Sequence, residues 1–407
     1  MARLTLQRTY TRSDPRGSFP HREGLPELRH NRLAMFWRPL IDLVDSDVAP
    51  LRLRMIAPVS RWLAGGAPEG WPWFSMIGVP ELRRQVLRHA GLDGYDCRTP
   101  AGLPTELHSP EWDRLVRAIE RFATLPDPVR ALVIFQLAQL SLCSYAIDLA
   151  GAVRPNGDPA HDRYVYDVAR VHARHPAHAG GALPLFEALA GTSQDPLLVL
   201  AACFQGIGHS VRRAGDMDLA RRFETIGRSV GALPDSWHSL LTRSRFHRAA
   251  ALLRLAEGRA ADIPGELAAA LELHERLSAV ASDGAARMVA DENARYLVEL
   301  RLRIAGTADA SKVRACCAEL AAIDPYCVET RLTIGDAHVT IGDYAGATRW
   351  YHRAGELGTG SGAVAWFRAA QCFDAIGDRG GAVNAMARCL ELDNTAAEPK
   401  AYLTVRG

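Results

Sequence analysis

Residues 328–357 read VETRLTIGDAHVTIGDYAGATRWYHRAGEL, and the small residues in this run constrain the chain more than any other feature. Gly335, Ala347 and Ala354 fall where two helices of a hairpin must touch, while Ile334, Tyr344 and Tyr351 fill the space between them. Gly342-Asp343 makes the turn. A two-helix hairpin cannot bury its apolar face alone, so it requires stacked neighbours.

Such neighbours are legible. Gly215-Asp216 is preceded by Ile207-Gly208 and followed by Ala220, Phe223 and Gly227. Gly377-Asp378 is preceded by Trp366, Ala370 and Phe373 and followed by Ala382 and Cys389. Two looser hairpins turn near Gly258 and Gly306. This pattern resembles the tetratricopeptide repeat (TPR) over residues 196–396. Gly342 and Gly377 are 35 residues apart, against a TPR period of about 34. The resemblance implies an all-α fold, a right-handed solenoid of helical hairpins, with a concave groove lined by the first helix of each repeat. On that analogy the groove-facing positions include Gln205, His209 and Arg212, then Leu332, Asp336 and Val339, then Phe367, Gln371 and Asp374. Arg213 sits beside Arg212. A chaperone-type clamp needs Lys, Asn and Arg there to grip a terminal carboxylate, and these are missing.

The rest of the chain divides by composition. Residues 1–25 read as a basic irregular arm. Residues 26–108 form an N-terminal helical region of no recognised type, and 109–192 read as helical hairpins and divergent repeats, ahead of the array at 193–400. Helix starts are written at Ser109-Pro110, Asp127-Pro128, Asp158-Pro159 and Asp195-Pro196, where an N-cap precedes a proline in the first turn. The second of these opens a long helix to about Leu149. Residues 1–90 hold 14 Arg against 8 acidic residues, a local +6 on a chain of net +2. That is too little to argue for nucleic acid. Only Lys312 and Lys400 are lysine, an Arg bias that points to a GC-rich bacterial genome. The eight cysteines show no CxxC spacing and most sit in apolar helical stretches, as small hydrophobes do in a reducing cytoplasm. No stretch approaches the ~20 apolar residues of a membrane span.

Chemistry has fewer candidates. His161, Asp167, His172 and His175 crowd the segment HDRYVYDVARVHARHPAH, with Tyr164 among them. His172 and His175 can share a helix face, but the spacing matches no metal-binding signature, so no metal or cofactor is expected. Asp42, Asp45 and Asp47 read as helix-end capping, and Trp71, Trp73 and Phe74 as loop aromatics plugging a core. Residues 79–93 lack a recognition helix for DNA. The expected function is therefore a cytoplasmic adaptor or regulatory protein that takes a protein or peptide segment in its groove. The expected contacts are Tyr164, Gln205, His209, Arg212, Arg213, Asp336, Phe367 and Gln371. One alternative is an enzyme of specialised metabolism acting on a peptide. A second is a transcriptional regulator with a TPR sensor, and a homo-oligomer is compatible with each.

Overall fold

The computed structural model describes residues 6–8, 10–11, 110–139, 143–174, 176–281, 284–306, 309–323, 328–356 and 362–406. Among them regular structure is helical, apart from an isolated bridge at Ala396. They fall into two compact units, one holding residues 110–297 and the other residues 6–11 with 298–406. The first expectations for residues 26–108, including Asp42, Asp45, Asp47, Trp71, Trp73, Phe74 and the 79–93 stretch, lie outside the described residues, as do His175, Cys97 and Cys327.

The 110–297 unit contains α1 (Pro110–Glu120), α2 (Asp127–Gln139), α3 (Cys143–Ala150), α4 (Pro159–Arg174), α5 (Ala182–Thr192), α6 (Pro196–His209), α7 (Met217–Ser229), α8 (Trp237–Ala256) and α9 (Ile263–Val280). The expected helix from Asp127 to Leu149 is instead two, α2 and α3. The C-terminal unit contains α11 (Ala310–Ile323), α12 (Val328–Thr340), α13 (Tyr344–Glu356), α14 (Gly362–Ala375), α15 (Arg379–Leu392) and α16 (Ala397–Arg406). The boundary falls inside α10 (Gly284–Ala305), between Leu297 and Val298. No helix among the described residues is long and apolar enough to cross a membrane.

The Gly-Asp pairs build the turns by two local rules. Gly215, Gly342 and Gly377 adopt φ of 67°, 78° and 82°, the left-handed conformation that ends a helix without a Cβ clash. The following Asp then caps the next helix. Asp216 accepts from the Leu219 amide at 2.9 Å, Asp343 from Gly346 at 2.8 Å and Asp378 from Gly381 at 2.8 Å. Gly258 and Gly306, at the looser turns, also have positive φ.

Across each turn the helices meet at glycine. A Cβ built on Gly335 would lie 2.4 Å from the Tyr351 ring, and one on Gly206 would lie 2.5 Å from Phe223. Ala347, Tyr351 and Ala354 are fully buried, at the close-contact positions the sequence marks. The residue facing Phe223 is Gly206, not Gly208 as counting from the turn suggests. A π turn, Ser210–Ala214, lies between, and its wider pitch shifts the register counted back from Gly215. These hairpins are TPR-like, each stacked on the next within its unit.

Cys143, Cys203, Cys316, Cys317, Cys372 and Cys389 are buried as thiols. Burial pushes Cys203, Cys317 and Cys372 up to about 12, so they are poor nucleophiles at neutral pH.

Candidate peptide-binding groove

Two of the expected groove residues, Phe367 and Gln371, converge in the C-terminal unit, and a segment of the same chain lies on them. Gln371 on α14 presents its side-chain amide to Gln7: Oε1 accepts from the Gln7 amide at 2.8 Å, and Nε2 donates to the Gln7 carbonyl at 3.0 Å. One residue can offer N–H and C=O to the same side only in an extended backbone, so Gln371 plays the part of a neighbouring strand. Arg368, one residue beyond Phe367, donates through Nε to the Arg8 carbonyl at 3.0 Å. The Ala397 amide, at the start of α16, donates to the Thr11 carbonyl at 2.8 Å. With the Thr11 amide, which donates to Glu398 Oε2, five main-chain groups of this segment are held by α14 and α16, without regard to side-chain identity.

Side-chain reading comes from apolar surface and carboxylates. The Tyr10 ring is buried and meets Phe367 edge-on, with centroids 5.6 Å apart at 84°. Leu6, Leu332 and Val339 pack on the same cluster. The Tyr10 hydroxyl donates to Asp393 Oδ2 at 3.0 Å, while Asp393 Oδ1 is held by Thr395. Glu398 receives three donors: Gln7 Nε2 at 2.9 Å, the Thr11 amide at 2.7 Å and the Thr11 hydroxyl at 3.0 Å. Burial pushes the Glu398 carboxyl up, but these donors outweigh it and hold it below the usual carboxylate range.

Asp336 does something other than expected. Its Oδ1 accepts from the Tyr351 hydroxyl at 2.5 Å and from Arg368 at 2.9 Å. It therefore joins α12, α13 and α14 and orients Arg368 toward the bound segment, without touching that segment in any described contact. The Tyr351 hydroxyl is pushed up strongly, first by burial and then by the Asp336 charge. Asp374, also expected in the groove, accepts from the Tyr402 hydroxyl at 2.7 Å.

Sequence reasoning missed Arg368, Asp393, Ala397 and Glu398, and it missed Tyr10 and Gln7 as their occupants. Two signals were present. Leu4, Leu6 and Tyr10 all fall on even positions, the period of an extended segment with one apolar edge. Glu398 sits in the first turn of a helix just past the last repeat.

The candidates in the 110–297 unit are engaged elsewhere. Tyr164 is 1% exposed, against Phe122, His161 and Arg130. It is core and not a partner contact, because α4 turns this face inward. Both ring nitrogens of His161 are occupied, Nδ1 by Asp127 at 2.8 Å and Nε2 by the Arg154 carbonyl at 2.9 Å. Asp167 pairs with Arg170 at 3.1 Å and Arg163 at 3.5 Å. His172 Nδ1 faces the His178 carbonyl at 3.2 Å, and burial lowers this imidazole despite that acceptor. His161 and His172 sit eleven residues apart on α4, about 16 Å along its axis, too far to act as one pair. His209 is lowered by burial and then by Arg213, with the Ala179 carbonyl opposing. Arg212 reaches back to the Gly208 carbonyl at 3.1 Å, while Gln205 is half-buried and Arg213 exposed.

A cavity of about 570 Å³ in this unit is lined by Leu200, Arg228, Arg243, Phe246 and His247. Its charges are spoken for: Arg228 by Glu224 and Glu266, His247 by Glu266, and Arg243 by Asp235. The groove on α14 and α16 is the better site, because its polar groups are aimed at a polypeptide.

Comparison with known proteins gives matches of low similarity. No protein-family model matches the chain, and no curated protein matches it. A crystal structure of a tetratricopeptide repeat protein from Parabacteroides merdae is 10% identical, with a TM-score of 0.36 over 72% of this chain and 98% of that one. The anaphase-promoting complex hetero-tetramer Cut9-Hcn1 is 13% identical, with a TM-score of 0.23 over 81% of this chain and 84% of that one.

Proposed function

We propose that this protein is an adaptor or regulatory subunit whose C-terminal hairpins bind an extended segment of a partner protein. The observation that carries this reading is the double pairing of Gln371 with the Gln7 main chain. Main-chain pairing gives affinity, and the pockets for alternate side chains give selectivity, as in other modes of strand addition. The reading differs from the sequence expectation in its chemistry. The expected contacts included Arg212 and Arg213, which are donors, whereas Glu398 and Asp393 are acceptors that select donors. An enzyme would need a ring nitrogen or carboxylate left for substrate, whereas both ring nitrogens of His161, the Asp167 carboxylate and His172 Nδ1 are engaged within their unit.

The test is a titration of the full chain into a fluorescein-labelled peptide carrying residues 4–13, LTLQRTYTRS. Binding is expected, and with the chain's own segment weakened by Tyr10→Ala so that it does not mask the effect, adding Gln371→Ala and Glu398→Ala should lose tenfold or more of it. Identical titration curves for the two chains, or no binding to either, would remove the groove from the account.

A further inference from the structure

We propose that residues 6–11 are a built-in competitor for the groove, displaced by a partner segment that is extended, free of acidic residues, and furnished with amide and hydroxyl donors around one aromatic ring. This rests on the peptide-binding reading above and deepens it by naming what the partner must look like.

The seated segment is itself the description of the partner. Residues 2–13, ARLTLQRTYTRS, contain three Arg and no Asp or Glu. Every described side-chain contact that reads it is made by an acceptor or an apolar surface. Glu398 takes the Gln7 amide and the Thr11 hydroxyl, Asp393 takes the Tyr10 hydroxyl, and Phe367 takes the Tyr10 ring. A carboxylate or phosphate at either hydroxyl position would stand against Asp393 or Glu398, and like charges at that range oppose binding. The main-chain contacts of Gln371, Arg368 and Ala397 are indifferent to sequence, so another segment with the same donors can replace this one.

Occupancy by the chain's own segment also sets the affinity an outside segment experiences. A tethered competitor acts at an effective concentration set by the length and stiffness of the chain that tethers it. A partner then binds with its intrinsic constant divided by the fraction of chains whose groove is vacated. Weakening the internal segment should therefore tighten binding of the outside one. A purely structural clasp would show no such reciprocity.

The labelled 4–13 peptide is titrated with the wild-type full chain and with the full chain carrying Tyr10→Ala, whose fold is checked by circular dichroism. Tenfold or more tighter binding by the Tyr10→Ala chain is the expected result. If that chain has lost its helical content, Gln7→Ala replaces it, because Gln7 is exposed and its loss leaves no cavity. A second peptide, with Tyr10→Glu and Thr11→Glu, should bind at least tenfold more weakly than the first. Equal binding by the wild-type and weakened chains overturns the competitor and leaves the peptide-binding reading standing. No binding by any chain overturns that reading itself. Undiminished binding of the acidic peptide overturns the partner's chemistry. A wild-type dimer that dissociates in step with peptide uptake would seat a second copy's segment in the groove and overturn the intramolecular arrangement.

Discussion

Gly335→Val is expected to destabilise the C-terminal unit by about 3 kcal/mol, the upper range for overpacking a core. The added Cβ alone would stand 2.4 Å from a Tyr351 ring carbon, closer than van der Waals contact allows. Tyr351 has no room to yield. It is fully buried, and its hydroxyl is tied to Asp336 at 2.5 Å. The backbones of α12 and α13 must therefore separate, which also loosens Ala347 and Ala354 where they pack without gaps. Gly342→Ala is the informative comparison. That turn glycine has nothing within 4 Å of its ideal Cβ, so only its φ of 78° is penalised, at about 1 kcal/mol. Urea unfolding followed by hydrogen exchange of the α12–α14 peptides, read by mass spectrometry, reports on the correct unit. Equal midpoints for the two variants would mean that α12 and α13 do not approach as described.

Asp336→Ala should cost about 2 kcal/mol in the same unfolding measurement. The loss has a definite origin. The Tyr351 hydroxyl stays buried with its acceptor removed, and a stranded buried donor is penalised by its desolvation. Arg368 also loses its carboxylate, although the Asp336 side chain is 39% exposed, so water screens that pair and its contribution is small. Adding Tyr351→Phe to Asp336→Ala removes the stranded hydroxyl and should recover about 1 kcal/mol. If the double variant is no more stable than Asp336→Ala, the hydroxyl is not the source of the loss.

What the sequence made legible was local. Each Gly-Asp turn is written by one residue that tolerates positive φ and one that caps a helix, so three turns and most helix starts could be read directly, while Gly258 and Gly306 marked two more by glycine alone. The close contact of Gly335 with Tyr351 followed from spacing inside one hairpin. Gly206 was harder, because the π turn before Gly215 changes the residue count per turn and no pattern announces it. Tyr164 misled for another reason: a tyrosine among Arg, Asp and His resembles a binding surface, yet α4 turns that ring inward.

The groove divides along the same line. Phe367 and Gln371 were reached through the repeat register, which is a local count. Their occupant was not, because Gln7 and Gln371 are 364 positions apart and nothing in periodicity links an irregular arm to a helix so distant. Arg368 was overlooked since a basic residue on a helix face usually points to water, and here Asp336 turns it toward the Arg8 carbonyl. Glu398 lies beyond the last repeat, in α16, where no repeat rule applies.

The most direct test of the central claim replaces Leu6 with a photo-crosslinking phenylalanine in the full chain and maps the products by mass spectrometry. Leu6, like Leu332 and Tyr402, packs on the cluster that contains Phe367, so the probe sits against the groove itself. Cross-links within a single chain to peptides of α14 and α16 are the predicted result. Cross-links confined to residues 110–297, or none at all, would contradict the seating of residues 6–11 and with it the groove.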